Sequence, residues 1–215
     1  MTVWQPVAGA DIPLDRLTAD FVLGVSPSMK PAPGQTTPSA TRSVLGGAFA
    51  TLAKIYPSLA IVDLRQSPVP LFDGRGPQEH NDPSVIAIHD TFARSGALYF
   101  AIPAYWRAVS GSFKNLIELM SGANYDGSPA ATVFHEKPVG FFVIGADRQS
   151  AIAGAEQARG IFEAVGARLV GTPIVAGTQD GLDLVRLGQQ VVADAGAVIA
   201  SVLNGSRETR VVAPR

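Results

Sequence analysis

The chain contains no cysteine. Disulfides, thiolate catalysis and Cys-ligated zinc or iron–sulfur centres are thereby excluded. Charge is also scarce: 16% of residues are charged, 17 basic against 18 acidic, for a net charge of -1. A chain this near neutral has no electrostatic footprint for nucleic acid or an anionic membrane. It also has little charge repulsion to hold copies apart. No apolar run approaches the length of a membrane span. Residues 1–20 carry Asp11, Asp15, Arg16, Asp20, Pro6 and Pro13, and lack the basic start and apolar stretch of a secretory leader. A cytoplasmic protein with no nucleic-acid or membrane partner is expected. Neither G-x-x-x-x-G-K-S/T nor G-x-G-x-x-G is present, so nucleoside triphosphatase and dinucleotide-fold readings lose their main support. There is no H-E-x-x-H and no G-x-S-x-G elbow. His80, His89 and His135 stand at no ligand spacing, so a metal site is not expected.

What is present is apolar and periodic. At 215 residues and 47% hydrophobic, the chain suits one domain with a full core. Continuous apolar runs of the kind buried on both faces of a parallel sheet occur at 21–25, 59–64, 97–102, 138–144 and 168–174. Helical spacing occurs at 40–55, 83–95, 112–121, 150–165 and 183–203. Asn81 or Asp82 is expected to cap the second helix, with Pro83 at its first position. Gly166 is expected to close the fourth. This alternation predicts an α/β fold with a five-stranded parallel sheet and helices on both faces. A single domain over 1–204 is expected, with an N-terminal arm (1–19) and a frayed tail (205–215).

In an open parallel sheet, ligands sit outside the carboxyl ends of the strands. Three loops there have distinctive compositions. The first, 26–42, is rich in Ser, Thr and Pro and runs into a helix. Ser26, Ser28, Ser39 and Thr41 can donate to a phosphate at the helix N-terminus, and Arg42 can add a cation. An ordinary loop with Ser39 or Thr41 as N-cap is an equal reading. The second, 102–115, places Pro103, Ala104, Tyr105, Trp106 and Arg107 ahead of Gly111. The aromatics can flank a planar ring, backbone amides can reach its heteroatoms, and Gly111 can allow close approach. Packing of the aromatics against a helix or another subunit is the competing reading. The third, 145–150, begins with Gly145 and Ala146, small enough to press against a flat ligand, and Asp147 is read as a helix cap.

Taken together, these loops resemble the NADPH-dependent FMN reductase family of flavodoxin-like proteins. The family's first loop has the form G-S-x-R-x-x-S-x-S/T-x-x-L, and this chain has S-P-S and then S-A-T-R-S-V-L at 39–45. The family segment P-E-Y-N-x-S-x-P-G-x-L-K-N-x-I-D is matched by P-A-Y-W-R-A-V-S-G-S-F-K-N-L-I-E at 103–118. The segment V-P-L-F-D at 69–73 resembles the family loop after the second strand. The departures are Met29 or Lys30 for the family Arg, an insertion across 29–38, Ala104 for Glu, Trp106 for Asn and Ser110 for Pro.

The resemblance implies a flavodoxin-like three-layer sandwich that binds FMN and uses NADPH or NADH as co-substrate. Ser26, Ser28, Ser39 and Thr41 would hold the FMN phosphate. The stretch from Pro103 through Ala104, Tyr105 and Trp106 to Arg107 would wrap the isoalloxazine, with Gly145 and Ala146 beside its other edge. The implied activity is hydride transfer from a nicotinamide to the flavin, then on to a flavin, quinone or similar small-molecule acceptor. An FMN carrier without a nicotinamide site, or a partner subunit that has lost FMN, are the alternatives. A homodimer or homotetramer is expected. Lys30, Arg42 and Arg107 are candidate cations for a nicotinamide 2′-phosphate.

Overall fold

The computed structural model of the protein describes residues 3–4, 11–12, 21–30, 36, 39–121 and 132–211. Most of the expected N-terminal arm, most of the 29–38 insertion and residues 212–215 of the expected tail lie outside them. Two short antiparallel strands come first, β1 (Val3–Trp4) and β2 (Asp11–Ile12). The parallel strands are β3 (Val22–Ser26), β4 (Leu59–Asp63), β5 (Ala97–Tyr105), β7 (Pro138–Gly145) and the pair β8 (Arg168–Leu169) and β9 (Ile174–Gly177); the short β6 (Ala108–Val109) follows β5. Among the described residues, five α-helices accompany the sheet: α1 (Ala40–Leu52), α2 (Pro83–Arg94), α3 (Gly111–Ser121), α4 (Arg148–Ala164) and α5 (Leu184–Val211). The parallel strands lie in the order β4-β3-β5-β7, with β8 and β9 both on the far edge of β7. The first of them thus lies between the second and third, the doubly wound order whose switch point falls between β3 and β5.

Burial follows the two-residue period of each strand. On β5, Leu98, Phe100 and Ile102 pack with Phe92 of α2, Phe113 of α3 and Phe162 of α4. The intervening Ala97, Tyr99 and Ala101 pack with Phe49 of α1 and with Val191 and Val198 of α5. The sheet is therefore the middle of three layers, a flavodoxin-like sandwich. Phe162 is the hub of the first layer: its ring centroid lies 5.0 Å from that of Phe100, 5.4 Å from Phe141 and 5.6 Å from Phe113. Such tilted and edge-on pairs add about 0.5–1.5 kcal/mol each beyond area burial. On the other layer the buried Tyr99 hydroxyl donates to Asp194 Oδ2 of α5 at 2.8 Å. A buried phenol needs such a partner.

Chain punctuation follows local chemistry. Asp82 caps α2 by accepting from the Ser84 amide at 2.8 Å, with Pro83 at the first turn. Gly166 takes φ 78° just past α4. The C-terminus of α2 is held by Lys137, whose Nζ donates to the carbonyl oxygens of Phe92 (2.5 Å) and Ser95 (2.6 Å).

The sheet is larger than the expected five strands. Its continuous path is β2-β1-β4-β3-β5-β7-β8, seven strands, with β6 on β5 and β9 on β7 besides. The additions have separate origins. Strands β1 and β2 extend the β4 edge antiparallel. The expected fifth strand, 168–174, is broken in two, because Gly171 takes φ 77° and Pro173 has no amide to donate. The second piece then runs on to Gly177. The last helix continues through Val211, past the expected end at Leu203.

Gly140 tests the packing of the α5 layer. A Cβ there would lie 2.6 Å from Val198 Cγ2 and 2.8 Å from the Tyr99 ring. Gly140→Ala is expected to destabilise the fold by about 1–3 kcal/mol through overpacking. A lower urea midpoint at unchanged m value checks it.

Candidate functional site

The three loops singled out in the sequence meet at the carboxyl edge of the sheet. They enclose a cleft of about 230 Å³ lined by Ser28, Lys30, Ser39, Ala40, Thr41, Pro103, Ala104, Tyr105, Ile144, Gly145, Ala146 and Thr178. Each wall has a local cause. Strand β3 ends at the buried Ser26, and Ser28 two residues on is also buried. The chain enters α1 through Ser39, whose Oγ accepts from the Arg42 amide at 3.3 Å and lies 3.1 Å from Thr41 Oγ1. Ser39 is thus both the helix N-cap and part of the cleft wall. The opposite wall is the β7–α4 turn. There Gly145 is required, because a Cβ would lie 2.8 Å from both Ala151 N and Asp147 O. Asp147 caps α4, its Oδ1 accepting from the Ser150 amide at 2.7 Å. That hydrogen bond, first among its contacts, holds the Asp147 carboxyl below the usual range.

Of the twelve residues proposed from sequence, eight line this cleft: Ser28, Ser39, Thr41, Pro103, Ala104, Tyr105, Gly145 and Ala146. Ser26, Trp106, Arg107 and Gly111 do not line it. Gly111 opens α3, and a Cβ there would meet no described protein atom within 4 Å, so no neighbouring backbone approaches it. The neighbouring Ser110 fixes the local structure instead. Its amide donates to Pro103 O at 2.9 Å, and its Oγ accepts from the Phe113 amide at 3.2 Å.

Among the described residues that line the cleft, the cation is Lys30. Its Nζ lies 5.1 Å from the centroid of the Tyr105 ring, within cation–π range. Arg42, the other cation considered for the phosphate, instead pairs through Nε with Asp63 Oδ2. Burial pushes the Asp63 carboxyl up, and the Arg42 charge beside it works against that shift. The pair ties the first turn of α1 to the end of β4. Asn115 also has a mechanical role: its Oδ1 accepts from the Phe72 amide at 2.8 Å and its Nδ2 donates to Pro70 O at 2.9 Å. It thereby pins the loop after β4 to α3.

Residues 103–111, expected as a loop, contain a hairpin. Strand β5 continues to Tyr105 and turns at Trp106 and Arg107 into β6, with Ala104 opposite Val109 and Tyr105 opposite Ala108. Trp106 and Arg107 have φ of 51° and 61°, the two positive angles of a type I′ turn. For residues with a Cβ, each costs about 1–3 kcal/mol. Helix α4 holds the hairpin. Gln157 accepts from the Val109 amide at 3.2 Å and donates to Arg107 O at 3.1 Å. Gln149 Oε1 accepts from Arg107 Nη2 at 3.0 Å.

Thr178, Ala40 and Ile144 were not anticipated. Thr178 sits where the chain leaves β9, its amide donating to Gly145 O at 3.0 Å. The rule that ligands sit at strand ends would have found it had the fifth strand been placed through Gly177. A larger groove of about 520 Å³ lies between α1 and α5, lined by Val44, Gly47, Ala48, Leu184, Val185 and others. It flanks the sheet away from the strand ends and offers mostly apolar surface, so the smaller cleft is the better ligand site. Among the described residues, no three His, Asp or Glu side chains converge on a metal position, and no helix is long and apolar enough to cross a membrane.

No curated protein matches the chain in sequence. Solved structures share its fold. An oxidoreductase from Corynebacterium diphtheriae superposes with a TM-score of 0.63 at 15% identity, over 87% of this chain and 99% of its own. The flavoenzyme NAD(P)H:(acceptor) oxidoreductase FerB from Paracoccus denitrificans gives 0.56 at 18% identity, over 83% and 97%. The NAD(P)H:quinone oxidoreductase of Methanothermobacter marburgensis gives 0.55 at 16% identity, over 81% and 98%. The sequence itself matches the family model for NADPH-dependent FMN reductase across residues 31–181. That span is more than half of the chain and takes in α1, the β5–β6 hairpin and the β7–α4 turn, so the chain belongs to the NADPH-dependent FMN reductase family.

Proposed function

We propose that the protein is an FMN-dependent NAD(P)H oxidoreductase that passes electrons to a flavin, quinone or similar small acceptor. The observation that carries this reading is the chemistry of the cleft. Among the described residues, its lining includes the hydroxyl-bearing Ser28, Ser39, Thr41 and Thr178 and one cation, Lys30, but no carboxylate. That donor set, at the first turn of α1, suits a phosphate. The far wall, formed by Pro103, Ala104, Tyr105, Ile144, Gly145 and Ala146, is small, apolar or backbone surface. It suits the face and edge of a flat ring. The residues therefore fit FMN. When bound, FMN would supply the redox chemistry, taking reducing equivalents from a nicotinamide and passing them to the acceptor.

The protein's part in this reading is positioning. Ser28, Ser39, Thr41 and Lys30 hold the phosphate end and fix the register of the cofactor. Pro103, Ala104 and Tyr105 form one wall for the ring, and Gly145 and Ala146 its other edge. Thr178 supports that edge by holding the Gly145 and Ala146 carbonyls, its Oγ1 donating to Ala146 O at 3.2 Å. No general acid or base is required among these side chains. Self-association as a homodimer or homotetramer belongs to the same reading. It is supported by the net charge of -1 and by exposed Ile55, Leu184 and Val185.

Protein mixed with FMN and desalted is expected to keep a flavin absorbance spectrum. The spectrum should bleach anaerobically with NADPH or NADH. A spectrum that persists under both nicotinamides points to a carrier, and loss of flavin on desalting, with no titratable FMN binding, overturns the assignment.

Lys30→Ala separates the two ends of the cleft. Removing a charge-assisted contact to phosphate is expected to weaken FMN about tenfold or more. Riboflavin, which has no phosphate, should lose less than about twofold on the same scale. Fluorescence titration of both ligands against parent and variant checks it. Equal losses for both would place Lys30 at the ring instead.

A further inference from the structure

The tip of the β5–β6 hairpin has three properties that the cofactor cleft does not use. Its central residues, Trp106 and Arg107, both take left-handed φ, 51° and 61°. Two-residue hairpins normally fill those positions with Asn and Gly, which accept such angles readily. Folding alone therefore does not favour a bulky aromatic there. Trp106 is also 79% exposed, so its ring contributes to no core. Finally, the tip is rigidly mounted, since Gln157 bridges both sides of the turn and Gln149 holds the Arg107 guanidinium toward α4. A strained and firmly held turn thus presents the largest flat side chain to solvent. Its neighbour Tyr105, 40% exposed, lines the cleft.

We infer that Trp106 is a stacking shelf for a planar, fused-ring electron acceptor at the mouth of the cleft. It determines acceptor specificity and is not part of the cofactor's seat. The inference rests on the flavin reading of the cleft, which supplies the reason for an acceptor to dock beside it. Indole offers the widest apolar face of any side chain, and offset stacking favours flat π-systems over compact or charged acceptors. The strain at the turn is the kind that persists where function holds a residue in place. A shelf on a turn already fixed to α4 also loses little freedom when a ring settles on it.

The test uses Trp106→Asn, which suits the turn and removes the ring, and Trp106→Phe, which keeps a ring. Menadione binding is measured by equilibrium dialysis with FMN in excess, and FMN affinity is measured separately. Trp106→Asn is expected to bind menadione about tenfold more weakly. Trp106→Phe should stay within about threefold of the parent chain. The Asn variant should also melt about 2–4 °C higher, because the strain is relieved. Unchanged menadione affinity in Trp106→Asn overturns the inference. So does an equal loss of FMN affinity, which would return Trp106 to the cofactor's seat. A variant that breaks a dimer while keeping menadione affinity overturns it in favour of a subunit contact. Failure of the parent chain to bind FMN would overturn the flavin reading instead, and it is read in its own measurement.

Discussion

Strand β5 is the constraint on which the rest depends. From Ala97 to Ala104 every residue is buried, and only Tyr105 at its carboxyl end is exposed. A backbone buried on both faces must find its hydrogen bonds in neighbouring strands. Strand β5 does so with β3 on one side and β7 on the other. That placement sets α1 and α5 on one face of the sheet and α2, α3 and α4 on the other. It also creates the switch point, since the connections from β3 and β5 leave toward opposite faces. The cleft lies there because the burial of β5 leaves nowhere else for the chain to part.

Two carboxylates in the elements around the cleft have structural partners. Asp147 caps a helix, and Asp63 pairs with Arg42 at the start of α1. His80, buried with Nε2 3.6 Å from Asp73 Oδ1, lies in the loop after β4 and lines no part of the cleft. A family whose chemistry belongs to a cofactor has little use for a perturbed acid or base. Its demands fall on shape and donor placement, and those are the properties that the Ser28, Lys30 and Ser39 wall and the Gly145 turn provide.

Much of this was legible in the sequence because it rested on local rules. Apolar runs gave the parallel strands, Asp82–Pro83 gave the start of α2, and Gly166 gave the end of α4. Ser39 was read as cap or ligand, and it proves to be the cap while facing the cleft. What escaped depended on contacts between distant segments. Trp-Arg carries no turn signature, so the hairpin was invisible without Gln157, 50 residues from Arg107 along the chain. The broken fifth strand hid Thr178, because its second half gains its register only from Phe142–Gly145. Gly111 stands at a helix start where no neighbouring protein backbone presses on it, which composition alone does not reveal.

The role of Gln157 has one more consequence. Helix α4 carries both the Gly145–Ala146 edge, through its N-terminus, and the β5–β6 hairpin, through Gln157 and Gln149. The Ser39–Thr41 wall rides on α1, which is bolted to β4 by Arg42 and Asp63. The cleft is therefore a jaw of two rigid parts, bridged at its mouth by Lys30 over Tyr105. Its gauge is set by the sheet between them, where β3 and β7 stand two strand spacings apart, about 10 Å. A jaw gauged by hydrogen-bonded strands keeps its width while the loops around it vary. This chain can thus carry an insertion in its first loop and a tryptophan in its turn without losing the spacing between its two walls.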